Sequence, residues 1–283
     1  VAVIPYESQV GFTFPGVFGT IATAYFERYG ASRDHLMNVT IKSHENAARN
    51  PKAQLNASME DVMAARIKRA ESKGRPTPTW IDAKAFLNDP RANPAVAWPI
   101  HVFDCCPISD GASCLLLVGE DIAKNFTDDP LYVAGMGQGS GRGLHAAQDL
   151  TSFEATRYAA HEAYEMSGLG PKDIQFAEVH DCFSIAELLH IEDLGFFKAG
   201  EGYKAVEEGH TRLEGSKPIN TSGGLKCKGH PVGATGAAQL VEVWTQLRQQ
   251  AGQRQVSGDL KFGAAHNLGG TGGTSTFTIL ERR

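Results

Sequence analysis

The chain has 283 residues, 42% hydrophobic and 21% charged, so it is long enough to bury the core of one large domain or two ordinary ones. Its formal net charge of −5 argues against nucleic acid as the main partner, because a phosphate backbone is bound by clustered Lys and Arg side chains. The five cysteines are an odd number without a CxxC pair. This pattern argues against a disulfide framework and predicts a reducing, cytoplasmic compartment.

No stretch of the sequence approaches the roughly 18–20 uncharged apolar residues of a membrane span. No basic segment followed by an apolar one indicates a secretion signal either. The sequence therefore predicts a protein without a membrane span. Because its first residue is Val1 rather than Met, we expect that the chain was processed or trimmed, or that it lacks its beginning.

The first 120 residues predict helices that are separated by an irregular stretch. Residues 11–16 predict a loop before a helix that ends at Gly30, and residues 58–68 predict a second helix. Residues 68–99 are rich in charge and contain five prolines, which interrupt helices and strands, so we expect an exposed excursion that packs into no core. The apolar run 112–118 predicts a strand that is buried on both faces.

Strand and helix patterns alternate after residue 118. A strand at 131–134 is followed by a predicted glycine-rich turn at 135–143. Thr151 and Glu154 then predict a capping box for a helix that ends at Gly168. The remaining predicted elements are a strand at 174–179, helices over 185–191 and beyond Gly236, and strands at 261–265 and 274–280. This alternation predicts a layered α/β domain.

Two reactive side chains follow the predicted strand 174–179. His180 and Cys182 are two residues apart, so they point to the same side, and a thiol beside an imidazole is a plausible proton-transfer pair. A helix that begins just after Cys182 would direct N–H groups at the thiol and lower its pKa. A buried cysteine and a hydrogen-bonded histidine before a helix explain this segment, taken alone, equally well.

The segment 220–236 holds five glycines in 17 residues, with His230 between Gly229 and Pro231. This composition indicates a loop whose backbone lies close to a bound group and which directs the imidazole of His230 at that group. A helix begins directly afterwards, so its free N–H groups suit an oxyanion or a thiolate. The glycine-rich run 266–273 is weaker on its own, but its backbone N–H groups make it a candidate third wall of the same site.

In this order, the three segments resemble the thiolase superfamily, in particular its sterol-carrier-protein-2-type branch and related bacterial and archaeal thiolases. His180-Asp-Cys-Phe183 is similar to the HDCF motif of that branch, and Gly229-His-Pro231 is similar to the GHP motif. Asn267-Leu-Gly269 stands where other thiolases carry a C-terminal Cys-x-Gly. The resemblance extends from about residue 11 to the C-terminus.

The resemblance implies a thiolase-like layered α-β-α-β-α fold with an incomplete N-terminal half. Residues 1–120 would be the remainder of that half, with about 68–99 as an exposed insertion, and residues 121–283 would be the C-terminal half. The nucleophilic cysteine of the family would lie in an N-terminal region that this chain lacks. Homodimers are common among thiolases that resemble it, and some act with a small OB-fold companion protein.

The activity that the resemblance implies is that of an acetyl-CoA C-acyltransferase, which forms or cleaves a carbon–carbon bond in 3-ketoacyl-CoA thioesters. His230 would activate the nucleophile and, with His180, stabilise the enolate oxygen. Cys182 would be the acid/base at the α-carbon, because residue 267 is not a cysteine. Gly269 would offer its N–H to a second oxyanion hole, and Gly229 and Asn267 would also contribute to oxyanion or substrate binding. Coenzyme A would be a substrate carrier, and no cofactor or metal is implied.

Three alternatives stay open. The same fold could serve a retro-aldol lyase or a non-catalytic acyl-CoA- or lipid-binding protein, although the intact motifs favour turnover. The chain could be a purely structural subunit, which would bind no acyl-CoA. Four side chains could also bind zinc in a structural module, although the glycine-rich loops suit thioester oxygens better; these are His180, Cys182, Cys227 and His230.

Overall fold

The structure, a computed structural model, describes residues 8–283, so the expectation about Val1 lies outside the described residues. The helices are α1 (Phe14–Tyr29), α2 (Arg33–Ala48), α3 (Met59–Ser72), α4 (Ala83–Asn88), α5 (Glu154–Ser167), α6 (Ser184–Asp193), α7 (Gly202–Glu207), α8 (Gly224–Cys227) and α9 (Thr235–Leu247). The strands are β1 (Ala95–Ala97), β2 (Ile100–His101), β3 (Leu131–Ser140), β4 (Phe176–Glu178), β5 (Phe262–Gly269) and β6 (Thr274–Arg282).

Four strands form one mixed sheet in the order β3-β6-β5-β4. Strand β4 is parallel to β5, whereas β6 runs antiparallel to both of its neighbours. Strands β1 and β2 form a separate antiparallel ribbon. The predicted α/β class is confirmed, and the predicted strands 131–134, 174–179, 261–265 and 274–280 each coincide with a strand of the sheet.

Helices cover both faces of this sheet. Successive residues of a strand point to opposite faces, and Ala264 and Ala265 of β5 belong to two different hydrophobic clusters. The cluster around Ala264 includes Ala159 of α5, and the cluster around Ala265 includes Val243 of α9. Helix α6, which follows β4, also contributes to the first cluster. No helix in residues 8–283 combines the length and apolar composition that crossing a membrane requires.

The predicted glycine-rich turn at 135–143 is wrong, because most of it continues strand β3. Alternate glycines of β3 face the backbone of α5. A Cβ at Gly137 would overlap the carbonyl oxygen of Ala159, and Gly135 and Gly139 meet the neighbouring turns in the same way. These glycines allow a helix to lie directly on a strand, whereas in the sequence they resemble a turn.

Two helix ends were predicted correctly and one helix start was not. Helices α1 and α5 end at Gly30 and Gly168, which adopt left-handed conformations with φ of 75° and 69°. Helix α5, however, begins after Phe153, whose N–H donates to Oδ2 of Asp193 at 2.7 Å. A carboxylate from α6 therefore accepts the N–H of the N-cap residue, which is the role predicted for Glu154, and a distant partner of this kind leaves no local sequence signal.

The proline-rich stretch 68–99 is exposed in its first half and partly buried in its second. Further on, the side chains of Phe86 and Leu87 are fully buried in a cluster with Met37 and Met59. The expectation that this stretch packs into no core is therefore wrong for its second half. The prolines limit the length of α4, but they leave its apolar face free to pack on α2 and α3.

Phe86→Ala is expected to lower the free energy of unfolding by about 3–5 kcal/mol, because it leaves a large cavity in this cluster. Urea denaturation followed by circular dichroism measures the change. Ile81→Ala, at a side chain that is 88% exposed, is the control and should change the stability by less than about 0.5 kcal/mol. Equal stability of the two variants would show that α4 does not pack.

The apolar run 112–118 forms no strand, so the prediction of a strand buried on both faces is wrong. Leu116 and Leu117 are 71% and 78% exposed. A strand of that kind needs hydrogen-bonded neighbours and a layer on each side, and residues 8–283 supply neither for this run. Together with the exposed Ile108 and Phe126, the run gives this region an apolar surface typical of a contact with further polypeptide.

Candidate active site

The segment with His180 and Cys182 is a tight turn between β4 and α6. The N–H of Val179 donates to Oδ1 of Asn220 at 2.8 Å, and the N–H of Leu225 donates to Oδ1 of Asp181 at 2.6 Å. Both contacts are fully buried. They tie the turn to the glycine-rich segment 220–236, so the first two predicted segments lie against each other.

The loop with His230 is held on its other side by Ser109. The N–H of His230 donates to Oγ of Ser109 at 2.9 Å, and Ile108 lies in a parallel bridge with His230. Gly229 has φ of 118°, and a Cβ at this position would lie 3.0 Å from Oγ of Ser109. Glycine is therefore required where the chain passes Ser109.

Residues 105–109 connect the two motifs. The N–H of Cys106 donates to the carbonyl oxygen of Cys182 at 2.9 Å, and Cys105 lies opposite Phe183 in an antiparallel bridge. Ile108, two residues after Cys106, pairs with His230. Because one short segment contacts both, the Cys182 turn and the His230 loop are held side by side.

The two predicted imidazoles meet at this junction. The ring centroids of His180 and His230 are 5.1 Å apart, and the ring planes are perpendicular. Burial, followed by the nearby His230 and His266, places the pKa of His180 well below its usual range. Burial, followed by the charge of Lys228, lowers the pKa of His230. Both rings are therefore neutral at pH 7, and each offers one N–H and one lone pair.

Thr235 fixes which nitrogen of His230 carries the proton. Oγ1 of Thr235 lies 2.7 Å from Nδ1 of His230 and donates to the carbonyl oxygen of Pro231 at 3.0 Å. A hydroxyl has one proton, so the bond to Pro231 leaves the threonine oxygen as the acceptor of an Nδ1–H bond. The lone pair of His230 is then on Nε2, the nitrogen that can act as a base.

Thr235→Val is expected to convert His230 from a single Nδ1–H tautomer into a mixture, because valine offers no acceptor. Long-range ¹H–¹⁵N correlation spectra of the imidazoles distinguish the tautomers directly. Thr235→Ser retains the hydroxyl and should retain the Nδ1–H form. An Nε2–H form in the unmodified protein would contradict the assignment.

The expected lowering of the pKa of Cys182 is wrong. Burial, followed by the charges of Cys106 and Asp181, raises the pKa of the Cys182 thiol well above its ordinary value. A backbone hydrogen bond at Phe183, before the first turn of α6, acts in the opposite direction. Desolvation outweighs it, because the side chain is almost completely buried. Cys182 is therefore a neutral thiol at pH 7.

Asn267 and Gly269 lie on β5, and Asn267 contacts the first turns of α9. Nδ2 of Asn267 donates to Oε1 of Gln239 at 2.8 Å, and Nε2 of Gln239 donates to the carbonyl oxygen of His266 at 2.9 Å. The backbone N–H of His180 in turn donates to Nδ1 of His266 at 3.4 Å. Asn267 is thus linked to the backbone of His180 through Gln239 and His266, whereas Gly269 lies further along, opposite Thr274 in the β5–β6 ladder.

The zinc alternative finds no support in the described residues. Cys227 is buried in a small cluster with Ala47 and Ala53, and burial raises the pKa of its thiol. No group of three or more His, Cys, Asp or Glu side chains in residues 8–283 is arranged to hold a metal ion. The side chains of His180, Cys182, Cys227 and His230 therefore do not form a common metal site.

Several residues that shape the site were missed by the sequence analysis. Thr235 had a usable signal, because it lies five residues after the histidine and begins a helix. Ser109 and Gln239 had none, since their contacts are long-range. His266 was included only as part of a glycine-rich run, although it is fully buried and its Nε2 lies 2.9 Å from Oγ of Ser275.

Comparisons with known proteins agree with this architecture. The family described as thiolase C-terminal domain-like matches residues 138–282. The acetyl-CoA acetyltransferase of Methanothermobacter thermautotrophicus is 43% identical over 280 residues, which are 98% of this chain and 66% of that protein. The sterol carrier protein 2 of Bos taurus is 34% identical over 275 residues, 94% of this chain and 45% of that protein.

A solved structure titled "Ltp2-ChsH2(DUF35) aldolase" matches with a TM-score of 0.77 and 24% identity, covering 99% of this chain and 66% of that one. This likeness supports the fold alone. The chain spans about two thirds of the length of its archaeal relative. With the family match over its second half, the identity to these relatives and the HDCF and GHP segments in contact, the chain belongs to the thiolase superfamily, in its sterol-carrier-protein-2-type branch.

Proposed function

We propose that this chain takes part in acyl transfer between coenzyme A thioesters, in which the carbon–carbon bond of a 3-ketoacyl-CoA is formed or cleaved. The observation that carries the proposal is the perpendicular pair of neutral imidazoles, His180 and His230, held beside the Cys182 turn. The relative named acetyl-CoA acetyltransferase supports the same reaction class. Coenzyme A acts as the carrier of the acyl group.

Cys182 is the proposed acid/base at the α-carbon. In condensation, its thiolate takes a proton from the α-carbon of a bound acyl-CoA, and the resulting enolate attacks the acyl group to be transferred. In cleavage, the Cys182 thiol returns a proton to the enolate carbon. The raised pKa of Cys182 keeps the thiol protonated at rest, which is the state that the cleavage direction requires.

The two histidines are proposed to stabilise the enolate oxygen. Negative charge on this oxygen is favoured by N–H donors held in place before the reaction. The Nε2 lone pair of His230 first takes a proton from the nucleophile, and the N–H that results can then donate to the enolate oxygen beside His180. Asn267, Gly229 and the backbone N–H of Gly269 are proposed to contribute to the surrounding oxyanion and substrate contacts.

The nucleophilic thiol is not assigned within the 283 residues. Burial raises the pKa of Cys105 to about 12 and that of Cys106 to about 11, and it also raises the pKa of Cys182 and Cys227. These four thiols are poor nucleophiles at neutral pH, and the fifth, Cys114, is exposed in the run 112–118. We propose that the nucleophile belongs to polypeptide outside this sequence, with residues 1–120 as the remainder of an N-terminal thiolase half and 121–283 as the C-terminal half.

The assembly proposed for the protein is a cytoplasmic homodimer that can act with a small OB-fold companion protein. The exposed apolar surface around residues 108–126 provides area for such contacts. The odd number of cysteines and the absence of disulfides among Cys105, Cys106, Cys114, Cys182 and Cys227 fit a reducing compartment.

Deuterium exchange at the α-carbon of acetyl-CoA tests the proposal, because this exchange needs the acid/base but not the nucleophile. The chain is incubated with acetyl-CoA in D₂O, and mass spectrometry follows deuterium in the acetyl group. Exchange above the buffer rate that is lost in the Cys182→Ala variant is the expected result. Binding of acetyl-CoA without exchange would favour a non-catalytic acyl-CoA-binding protein. If acetyl-CoA neither binds nor exchanges its protons, the catalytic and the non-catalytic proposals are both contradicted.

A further inference from the structure

Lys226 is a fully buried lysine, four residues before His230. Its side chain is 1% exposed, which makes it one of the largest fully buried side chains of the protein. Removing an ammonium group from water is costly unless its three N–H groups are satisfied. A lysine in this position therefore needs specific partners, and neither the proposed proton transfers nor the acyl-CoA contacts use it.

The three partners of Lys226 lie on three different chain segments. Nζ donates to Oγ1 of Thr40 on α2 at 2.7 Å, to the carbonyl oxygen of Phe103 at 2.8 Å and to Oγ of Ser184. Phe103 comes two residues before Cys105, and Ser184 comes two residues after Cys182. One ammonium group thus joins the segment of Cys105 and Cys106, the Cys182 turn and the segment that leads to His230.

The charge of Lys226 is not cancelled by direct contact with a carboxylate. Within residues 8–283 it forms no ion pair, and Asp104 is reached only through hydroxyls, because Oγ of Ser184 and Oγ1 of Thr40 donate to its Oδ1 at 2.9 Å and 3.4 Å. The other fully buried lysine, Lys42, is paired directly with Glu187. The two lysines therefore differ in function: Lys42 neutralises a carboxylate, whereas Lys226 leaves a positive charge next to neutral oxygens.

We propose that Lys226 is a positioning residue, whose ammonium group holds these three chain segments in register and supplies a buried positive charge beside Cys105 and Cys106. Only its consequence for catalysis rests on the proposed function; its geometric and electrostatic role does not. The hydrogen bond to Ser184 positions the Cys182 turn, and a thiolate that forms on Cys105 or Cys106 would be stabilised by the cation.

The charge of Lys226 lowers the pKa of two neighbouring thiols. Burial raises the pKa of both Cys105 and Cys106, and Lys226 acts against that rise at each of them. Asp104 and Cys106 raise the pKa of Cys105 further, whereas the other charged group that affects Cys106 is Asp181. Cys105 and Cys106 are half-buried, so small alkylating reagents can reach them. They can therefore report the charge of Lys226 in this chain, without any measurement of activity.

The test is the rate of alkylation of Cys105 and Cys106 by iodoacetamide between pH 7 and 9.5, followed by peptide mass spectrometry. In Lys226→Met we expect Cys106 to react about 3- to 10-fold more slowly at each pH, because the thiolate fraction falls tenfold for each unit by which a pKa rises. A loosened fold would have the opposite effect and speed the reaction. Lys42→Met, which removes the other buried lysine, should leave the profile of Cys106 unchanged.

The double variant Lys226→Met/Asp104→Asn keeps the test decisive if the single variant folds poorly. It removes both charges of the cluster, so the net charge of the core stays balanced. Cys105 should return toward its original rate, because Asp104 and Lys226 act on it in opposite directions, and Cys106 should stay slow. Unchanged or faster alkylation of Cys106 in the folded variants, or an equal slowing in Lys42→Met, would overturn the proposal.

Discussion

His230→Ala is expected to reduce thiolysis of acetoacetyl-CoA by at least about 10²-fold, in the subunit that includes the nucleophile. The lone pair on Nε2 of His230 is proposed to take a proton from that nucleophile. The N–H that results is proposed to donate to the enolate oxygen. The variant loses both, so acylation of the enzyme should stop as well. Intact-mass spectrometry after brief mixing with substrate measures the acylated fraction.

His161→Ala is a suitable control for this prediction. His161 lies on the exposed side of α5, where its ring forms only a surface contact with Glu165, so its loss should change neither acylation nor turnover. If His230→Ala were acylated at the unmodified rate, His230 would not be the activating base. Slow turnover with normal acylation would instead restrict His230 to the enolate step.

Several elements of the fold were readable from the sequence because their signals are local. The helix ends at Gly30 and Gly168 depend on single residues that tolerate a left-handed conformation. The strands β5 and β6 were predicted as short segments on either side of a glycine-rich run. Their order in the sheet, and the insertion of β6 between β5 and β3, depend on long-range pairing.

The wrong predictions share a physical cause: tertiary contacts determined the structure of segments whose local sequence pattern indicated something else. Glycines of β3 indicate a turn until α5 is known to lie against them. The prolines around α4 indicate an exposed loop until Phe86 is found in the core. Residues 112–118 indicate a buried strand, but burial depends on neighbours that the described chain does not supply.

The site was predictable as far as its short motifs extend. His180, Cys182 and His230 were identified by spacing and resemblance, and the structure holds His180 and His230 in ring contact with the Cys182 turn at their side. The protonation of Cys182 was not predictable, because a helix that follows a thiol is visible in sequence whereas the depth of its burial is not. The same holds for Lys226, which in the sequence is an ordinary lysine in a basic, glycine-rich loop.

Cys182→Ala is expected to slow α-carbon deuterium exchange of acetyl-CoA by about 10²-fold or more, the usual consequence of removing a general acid/base. In the unmodified chain the exchange rate should also rise with pH. The pKa of Cys182 is raised well above the ordinary value of 9.0, so below that pKa the thiolate fraction grows about tenfold for each pH unit. We therefore expect no plateau up to pH 9.

Cys106→Ala is the matched control, because Cys106 lies directly against the backbone of Cys182 and is a half-buried thiol with a raised pKa. It has no proposed part in proton transfer, and its removal takes a negative charge away from Cys182 whenever both are ionised. The variant should therefore exchange at least as fast as the unmodified chain at pH 9. Near-normal exchange in Cys182→Ala, or a plateau below pH 8, would assign the α-carbon base to another group.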